Sequence, residues 1–360
     1  MNWHLAEELS KHADVRVVGP QGAKALQPKN VGVVEAPLKP LSAFLLVAFS
    51  KGLWEVIFRR PDIILAGSGL TAPIAFLLSR LCRAQSVVYL HGFDITANHL
   101  LYRKLWRPFF KYLDCIVVNS SPTRELALAA GISSQRTHIV HPGVSLPAAA
   151  QTPDRIAAFR VQYGLIGKKV LLSVGRLTTR KGLREFVEHS LPSIIQSEPN
   201  AILVVIGEAP QSSLGASVQT EASIRAQAEQ SGVADHIKFL GVITDKDRLA
   251  IAYEVADVHV FPVRHIPDDP EGFGMVAIEA AAHGLPTVAF ATGGVIDAVK
   301  NEISGYLVEN DNYHEFSRRV LRVLNQSLDV ANIQKFGEQF SWRHFGEDLR
   351  PHLTREGSEK

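Results

Sequence analysis

The sequence is poor in cysteine: among 360 residues only Cys82 and Cys115 carry a thiol. Two thiols build neither a disulfide framework nor a zinc knuckle, and their scarcity fits a reducing cytosol. Unbroken hydrophobic runs are scarce as well. Leu41–Phe58 is rich in Leu, Phe and Val but carries Lys51, Gly52 and Glu55, while Ile63–Leu78 is divided by Gly67-Ser68-Gly69 and Pro73. On this reading neither supplies the roughly 20 apolar residues of a spanning helix, and a soluble or peripheral protein is expected. Met1–Asp14 lacks the apolar segment of a secretory signal. Net charge is small: 38 Lys and Arg against 36 Asp and Glu leave +2, which argues against a nucleic-acid binder held by bulk charge. Internal repeats and low-complexity tracts are missing too. What is abundant is apolar character, 46% of residues, over a length that accommodates two domains with a core each.

Short β-branched runs alternate with helical patterns along the chain. The first series of strands is expected at Val15–Val18, Ile63–Ala66, Ser86–Tyr89, Cys115–Val118 and His138–Val140. The second is expected at Val170–Val174, Ile202–Ile206, Ile237–Leu240, Val258–Phe261, Thr287–Ala289 and Gly305–Val308. Nearly continuous apolar strands separated by helices imply parallel sheets covered on both faces. Between the two series, Pro142–Thr152 holds Pro142, Gly143, Pro147 and three alanines, and reads as a linker. The expected architecture is α/β: two doubly wound Rossmann-like domains facing across a cleft, spanning 1–146 and 147–337. Ligands of such sheets sit beyond the carboxyl ends of the strands. Asn2–Lys11 reads as a helix, so the first strand and Gly-rich turn that usually open such a domain are absent from the pattern.

Three segments carry the chemistry. Gly175-Arg176-Leu177-Thr178-Thr179-Arg180-Lys181-Gly182 follows a strand, and Arg176 and Lys181 there offer a diphosphate a bidentate guanidinium and a point charge. Glu271-Gly272-Phe273-Gly274-Met275-Val276-Ala277-Ile278-Glu279 opens a helix whose free N–H groups favour an anion. Glu279 is an isolated carboxylate in an otherwise apolar helix, costly unless it is paired or touches a ligand. In Tyr89-Leu90-His91-Gly92-Phe93-Asp94, a His closes a strand at its carboxyl end, where a structural and a catalytic role are about equally expected. Asp268-Asp269, between Pro267 and Pro270, reads as an ordinary loop rather than a metal site.

Gly175-Arg176 with Lys181, the Glu271-x7-Glu279 pair, Gly293-Gly294, Gly305-Tyr306-Leu307-Val308 and Phe340-Ser341-Trp342, in this order, strongly resemble the retaining family 4 glycosyltransferases of GT-B fold. The resemblance implies that Gly175, Arg176 and Lys181 hold the diphosphate of a nucleotide-sugar donor and stabilise the departing charge without a metal or cofactor. It places Glu271 with the backbone of Gly272, Phe273, Gly274, Met275 and Val276 on the transferred sugar, and Glu279 on the ribose. Leu240–Ile243, with Ile243, would lie against the base, and His91 with Asp94 would reach the sugar from the other domain. The last helix, Trp342–Leu353, would cross back to the N-terminal domain. Three departures from the family pattern remain: the absent first strand and its Gly-rich loop, Val295-Ile296-Asp297 where a Pro-Glu pair is commoner, and Ser145 where Asp is frequent.

The resemblance implies a hexosyltransferase, with mannose from GDP-mannose as the leading donor. The acceptor is expected to be a saccharide or lipid-linked saccharide of polysaccharide or lipopolysaccharide biosynthesis. Leu101–Leu113 interleaves Arg103, Lys104, Arg107 and Lys111 with Leu105, Trp106, Phe109, Phe110 and Tyr112, the composition of a membrane-surface helix or of a solvated face over a core. A cytoplasmic protein touching the inner face of the cell membrane is the matching expectation. A nucleotide-sugar epimerase and a non-catalytic nucleotide-sugar binder are the alternatives.

Overall fold

The structure is a computed structural model that describes residues 1–210, 218–326 and 328–353. The chain divides into two compact units. Unit 1 is Met1–Gly143 joined by the chain from Trp342 onward, and unit 2 is Val144–Ser341.

In unit 1 the helix α1 (Asn2–Leu9) precedes β1 (Val15–Pro20), which pairs in parallel with β2 (Val31–Ala36). A separate parallel sheet holds β3 (Ile63–Ala66), β4 (Gln85–Leu90), β5 (Cys115–Val118) and β6 (Thr137–Ile139) in that order. Every residue of β5, and of β4 after Gln85, is buried, which is why these strands read as unbroken apolar runs. β2 is not among the strands expected above. Gly32 interrupts its short apolar run, and only the in-register pairing Val15↔Val31 through Pro20↔Ala36 makes it a strand.

Two local expectations are corrected. Lys51, Gly52 and Glu55 do not break the Leu41–Phe58 stretch. It forms one helix, α2 (Leu41–Arg59), long and apolar enough by length and composition to cross a membrane. The polar residues fit because Lys51 donates to the Glu35 carbonyl, Glu55 pairs with Arg59 at 3.0 Å, and Gly52 makes room for Leu78 of α3 (Ala72–Cys82). The Leu101–Leu113 segment, in turn, is not one α-helix. A wide π turn over Tyr102–Trp106 passes into a 3-10 helix over Arg107–Tyr112, where Pro108 has no N–H to continue an α-helical ladder.

Unit 2 contains one parallel sheet ordered β12-β11-β10-β7-β8-β9. Its strands are β7 (Lys169–Val174), β8 (Ala201–Ile206), β9 (Ile237–Phe239), β10 (Val258–Phe261), β11 (Thr287–Phe290) and β12 (Gly305–Val308). The chain runs outward from β7 to β9, then returns to β10 on the other side of β7. Strand order therefore reverses between β7 and β10, and the crevice beyond their carboxyl ends is where a doubly wound sheet binds ligands. The helix Trp342–Leu349 and the turn Arg350–Leu353 pack into unit 1: His4 stacks on Trp342 with centroids 4.1 Å apart, and Phe345 meets Tyr89 at 6.1 Å.

Candidate active site

The loop leaving β7 and the loop leaving β10 flank the point where the strand order of unit 2 reverses. Gly175 ends β7 at φ +138°, its N–H donating to the Ile206 carbonyl at 2.9 Å, and the chain then turns through Arg176 into a 3-10 turn at Thr179–Lys181. Gly182 closes that turn at φ +66°, and a Cβ there would lie 2.1 Å from the Pro262 carbonyl oxygen. The Arg264 N–H also donates to the Arg180 carbonyl at 2.8 Å, so the two loops are fastened backbone to backbone.

This fastening gathers a charge cluster. Glu271 Oε2 accepts from Arg180 at 2.5 Å and from Lys181 at 2.8 Å, and Arg180 also pairs with Asp269 at 3.3 Å. Lys181 Nζ lies 4.6 Å from the centroid of the Phe261 ring, which adds a cation–π contact. Burial alone would raise the Glu271 carboxyl. Lys181, Arg180 and Arg176 outweigh it, and Glu271 is held below the usual carboxylate range. For Lys181, burial pushes the ammonium down, Glu271 opposes this, and the neighbouring guanidiniums add to the fall. Arg176 is exposed on the rim. The arrangement presents one open guanidinium beside a buried guanidinium and a half-buried ammonium that share a carboxylate, which suits the charge of a diphosphate.

The second wall is the start of the helix Met275–Ala282, capped by Gly274 at φ +94°. The Ala277 N–H donates back to the Gly274 carbonyl at 2.9 Å, and the N–H groups of Met275 and Val276 come before the helical ladder begins, as an anion site at a helix start requires. Phe273 is buried and packs against Phe340 at 5.6 Å, which anchors the loop. Gly293-Gly294 press on its other side. The Gly294 N–H donates to the Glu271 carbonyl at 2.8 Å, and a Cβ on Gly294 would fall 2.1 Å from the Gly272 carbonyl oxygen. Met275 and Val276 are half-buried in the first turn.

Glu279, one turn into this helix, is not isolated. Tyr253 donates its hydroxyl to Glu279 Oε2 at 3.0 Å. Burial raises the Glu279 carboxyl above its ordinary value, with Tyr253 and Lys181 countering only in part. Ile243 lies just past β9, half-buried against the core beneath, while its neighbour Val242 is exposed.

In unit 1, the His91 imidazole lies 3.2 Å from the Gly67 carbonyl oxygen and 4.8 Å from the Tyr89 ring. Burial lowers its pKa, and Asp94 and the Gly67 carbonyl oppose the fall. Both Asp94 oxygens are engaged: one accepts from the His91 N–H at 2.9 Å, the other from the Gly69 N–H at 3.0 Å. Asp94 thus ties the end of β4 to the turn after β3 and positions His91. The structure gathers Gly175, Arg176, Lys181, Gly272, Phe273, Gly274 and Glu271 around the two loops of unit 2, with Glu279 further along the same helix, while His91 and Asp94 belong to unit 1.

Sequence reasoning missed five contributors. Arg180 and Asp269 complete the ion cluster, Tyr253 satisfies Glu279, and Phe261 lies under Lys181. His259, fully buried on β10, is also new; burial and then Lys181 push its imidazole down to about 3, so it is neutral. Arg180 had a local signal, as the third cation of one short loop. The others had none, since their partners are distant in sequence.

A parallel α/β unit with a cationic, glycine-lined crevice at its switch point is a site suited to a phosphorylated ligand. Family comparison makes the class specific. Residues 156–340 match the model described as Glycosyl transferases group 1, and residues 1–147 match Glycosyltransferase Family 4. The chain belongs to this glycosyltransferase family, and its fold is GT-B. It is 31% identical over 305 residues to a GDP-mannose-dependent alpha-(1-6)-phosphatidylinositol monomannoside mannosyltransferase of Mycolicibacterium smegmatis, covering 81% of this chain and 77% of that protein. A D-inositol 3-phosphate glycosyltransferase of Geodermatophilus obscurus is 32% identical over 242 residues, 66% of this chain and 51% of that one. Among solved structures, Anabaena HepE in complex with UDP and glucose superposes with a TM-score of 0.78 at 18% identity, over 97% of this chain and 94% of that chain.

Proposed function

We propose that this glycosyltransferase moves a mannosyl unit from GDP-mannose, with retention of configuration, to a lipid-linked or inositol-bearing acceptor. The carrying observation is the Arg176, Arg180, Lys181 and Glu271 cluster at the switch point of unit 2. A sugar–diphosphate bond breaks heterolytically, so the leaving group needs positive charge more than the acceptor needs a strong base. Arg176 binds the diphosphate from the rim, and Lys181 supplies charge from below. Glu279 takes a ribose hydroxyl, and Glu271 with the backbone at Gly272–Gly274 takes sugar hydroxyls.

Double displacement would require a free carboxylate nucleophile beneath the anomeric carbon. Glu271 is neutralised by two cations at 2.5 and 2.8 Å, which makes it a poor nucleophile and a good positioning group. Same-face attack fits better, with the departing phosphate accepting the acceptor's proton. The relatives named for GDP-mannose and for inositol phosphates support this donor and acceptor class.

The test incubates the purified chain with GDP-mannose, UDP-glucose and UDP-N-acetylglucosamine in turn, with phosphatidylinositol mannoside or inositol phosphate as acceptor. Product linkage is read by NMR. An α-mannoside formed from GDP-mannose supports the reading. A β-linked product, or transfer only from a UDP-sugar, overturns it.

A further inference from the structure

Unit 1 carries an apolar, cationic face that its own fold leaves uncovered. α2 buries only a narrow stripe, Ala48, Gly52 and Val56, while Leu46, Trp54 and Phe58 recur on the side turned away from the protein. Leu46 is 69% exposed and Phe58 67%, in a helix with mean hydropathy high enough for a bilayer. α3 lies against α2 through Leu78 on Gly52 and adds exposed Leu81. The 101–112 segment lies against α3 in its turn, with Phe76 5.6 Å from Phe109 and 6.1 Å from Tyr112, and adds exposed Leu101 and Leu105. Scattered exposed leucines are ordinary on a protein surface. A run of them over three neighbouring elements is a patch and marks a binding surface.

Charge decides what binds there. Over residues 41–60, 72–83 and 98–114 there are nine Lys and Arg against two carboxylates, Glu55 and Asp114, which pair with Arg59 and Arg80, although the whole chain is balanced to +2. Arg59, Arg60, Arg80, Arg83, Arg103 and Lys104 are exposed. A protein partner matched to this face would need an acidic rim around a broad apolar centre. An anionic bilayer offers both at once, acyl chains below and phosphates at the level of the cations.

We propose that unit 1 docks on the surface of an anionic membrane through this face, with α2 lying in the interfacial plane. α2 does not span the bilayer, because its Ala48–Gly52–Val56 stripe is committed to unit 1. The inference rests on unit 1 alone and is independent of the donor and acceptor named above.

The test is co-sedimentation of the full chain with vesicles of phosphatidylcholine alone and of phosphatidylcholine enriched in phosphatidylglycerol. With each exposed cation near the surface adding attraction, we expect binding to the anionic vesicles at least about tenfold tighter, weakening as salt rises. The triple variant Leu46→Ser, Trp54→Ser, Phe58→Ser and the double variant Arg103→Ser, Lys104→Ser should each lower vesicle binding about tenfold or more at an unchanged melting temperature. No binding to anionic vesicles, or binding that neither variant weakens, overturns the proposal. So does membrane-bound protein that resists alkaline carbonate and yields only to detergent, which would mean a spanning α2. A stable dimer in solution that the triple variant dissociates would assign the face to a second copy instead.

Discussion

Arg176 and Arg180 sit four residues apart and differ in every physical respect. Arg176 is exposed, so Arg176→Ala should leave stability within about 0.5 kcal/mol while lowering kcat by roughly 10²–10³, the loss typical of one transition-state charge donor. Arg180 is buried against Asp269 and Glu271. Arg180→Ala takes the cation from Asp269 and leaves Glu271 with Lys181 alone, and should cost about 3 kcal/mol, read as a lower urea midpoint, along with activity. The two glutamates respond to pH with opposite sign. The Glu271 pKa is depressed by its cations, so its stabilisation is present above its ordinary 4.5 and lost as pH falls below it. That of Glu279 is raised, so its contribution is favourable at low pH and lost as pH rises past 4.5 through the elevated value. Melting curves across this window should show Glu279→Gln gaining on the parent as pH rises, while Glu271→Gln falls progressively behind. If Glu279→Gln gains stability at neutral pH and also loses nucleotide affinity in calorimetry, the carboxylate is kept charged and buried for its ligand rather than for the fold.

At the scale of elements, the glycine pair at 293–294 holds the donor-side loop in place. Gly294→Ala would drive a methyl into the Gly272 carbonyl oxygen, already 2.1 Å from that position, and push the 271–274 loop away from the helix it introduces. We expect this variant to lose nucleotide-induced stabilisation in a thermal-shift assay while keeping its far-UV circular dichroism. The same loops show what a sequence can reveal. β4, β5, β7, β8 and β10 were legible because burial on both faces leaves continuous apolar runs, and Glu271, Gly274 and Glu279 because a glycine-punctuated helix start has a local pattern. β2 was not, since its strand character comes from pairing with β1. The continuity of α2 was hidden because Lys51 and Glu55 find partners only once the chain is folded. The hydroxyl of Tyr253 reaches Glu279 across 26 residues, a contact no spacing rule anticipates. Arg180 and Asp269 were visible as residues, but their alliance with Glu271 is a product of the backbone fastening at Gly182.

For the molecule as a whole, the parentage of unit 1 matters most. Its core is closed by residues from both ends of the sequence: α1 contributes His4, β4 contributes Tyr89, and Trp342, Phe345 and Leu349 arrive from the far end. A chain ending at Ser341 should keep unit 2 folded, because that unit is continuous from Val144 to Ser341, and lose protection in unit 1. Hydrogen exchange read by mass spectrometry would show fast exchange confined to peptides of 1–143, and uniform protection in the shortened chain would refute this. The same arrangement sets a timetable for biogenesis. On the ribosome, unit 1 is made first yet cannot finish, while the later unit 2 has all its strands in hand before the last helix emerges. The nascent chain therefore carries an unsealed apolar surface throughout the translation of about two hundred further residues. A cell that makes this protein needs to shield that surface, and chaperone demand should fall sharply once Trp342 clears the exit tunnel.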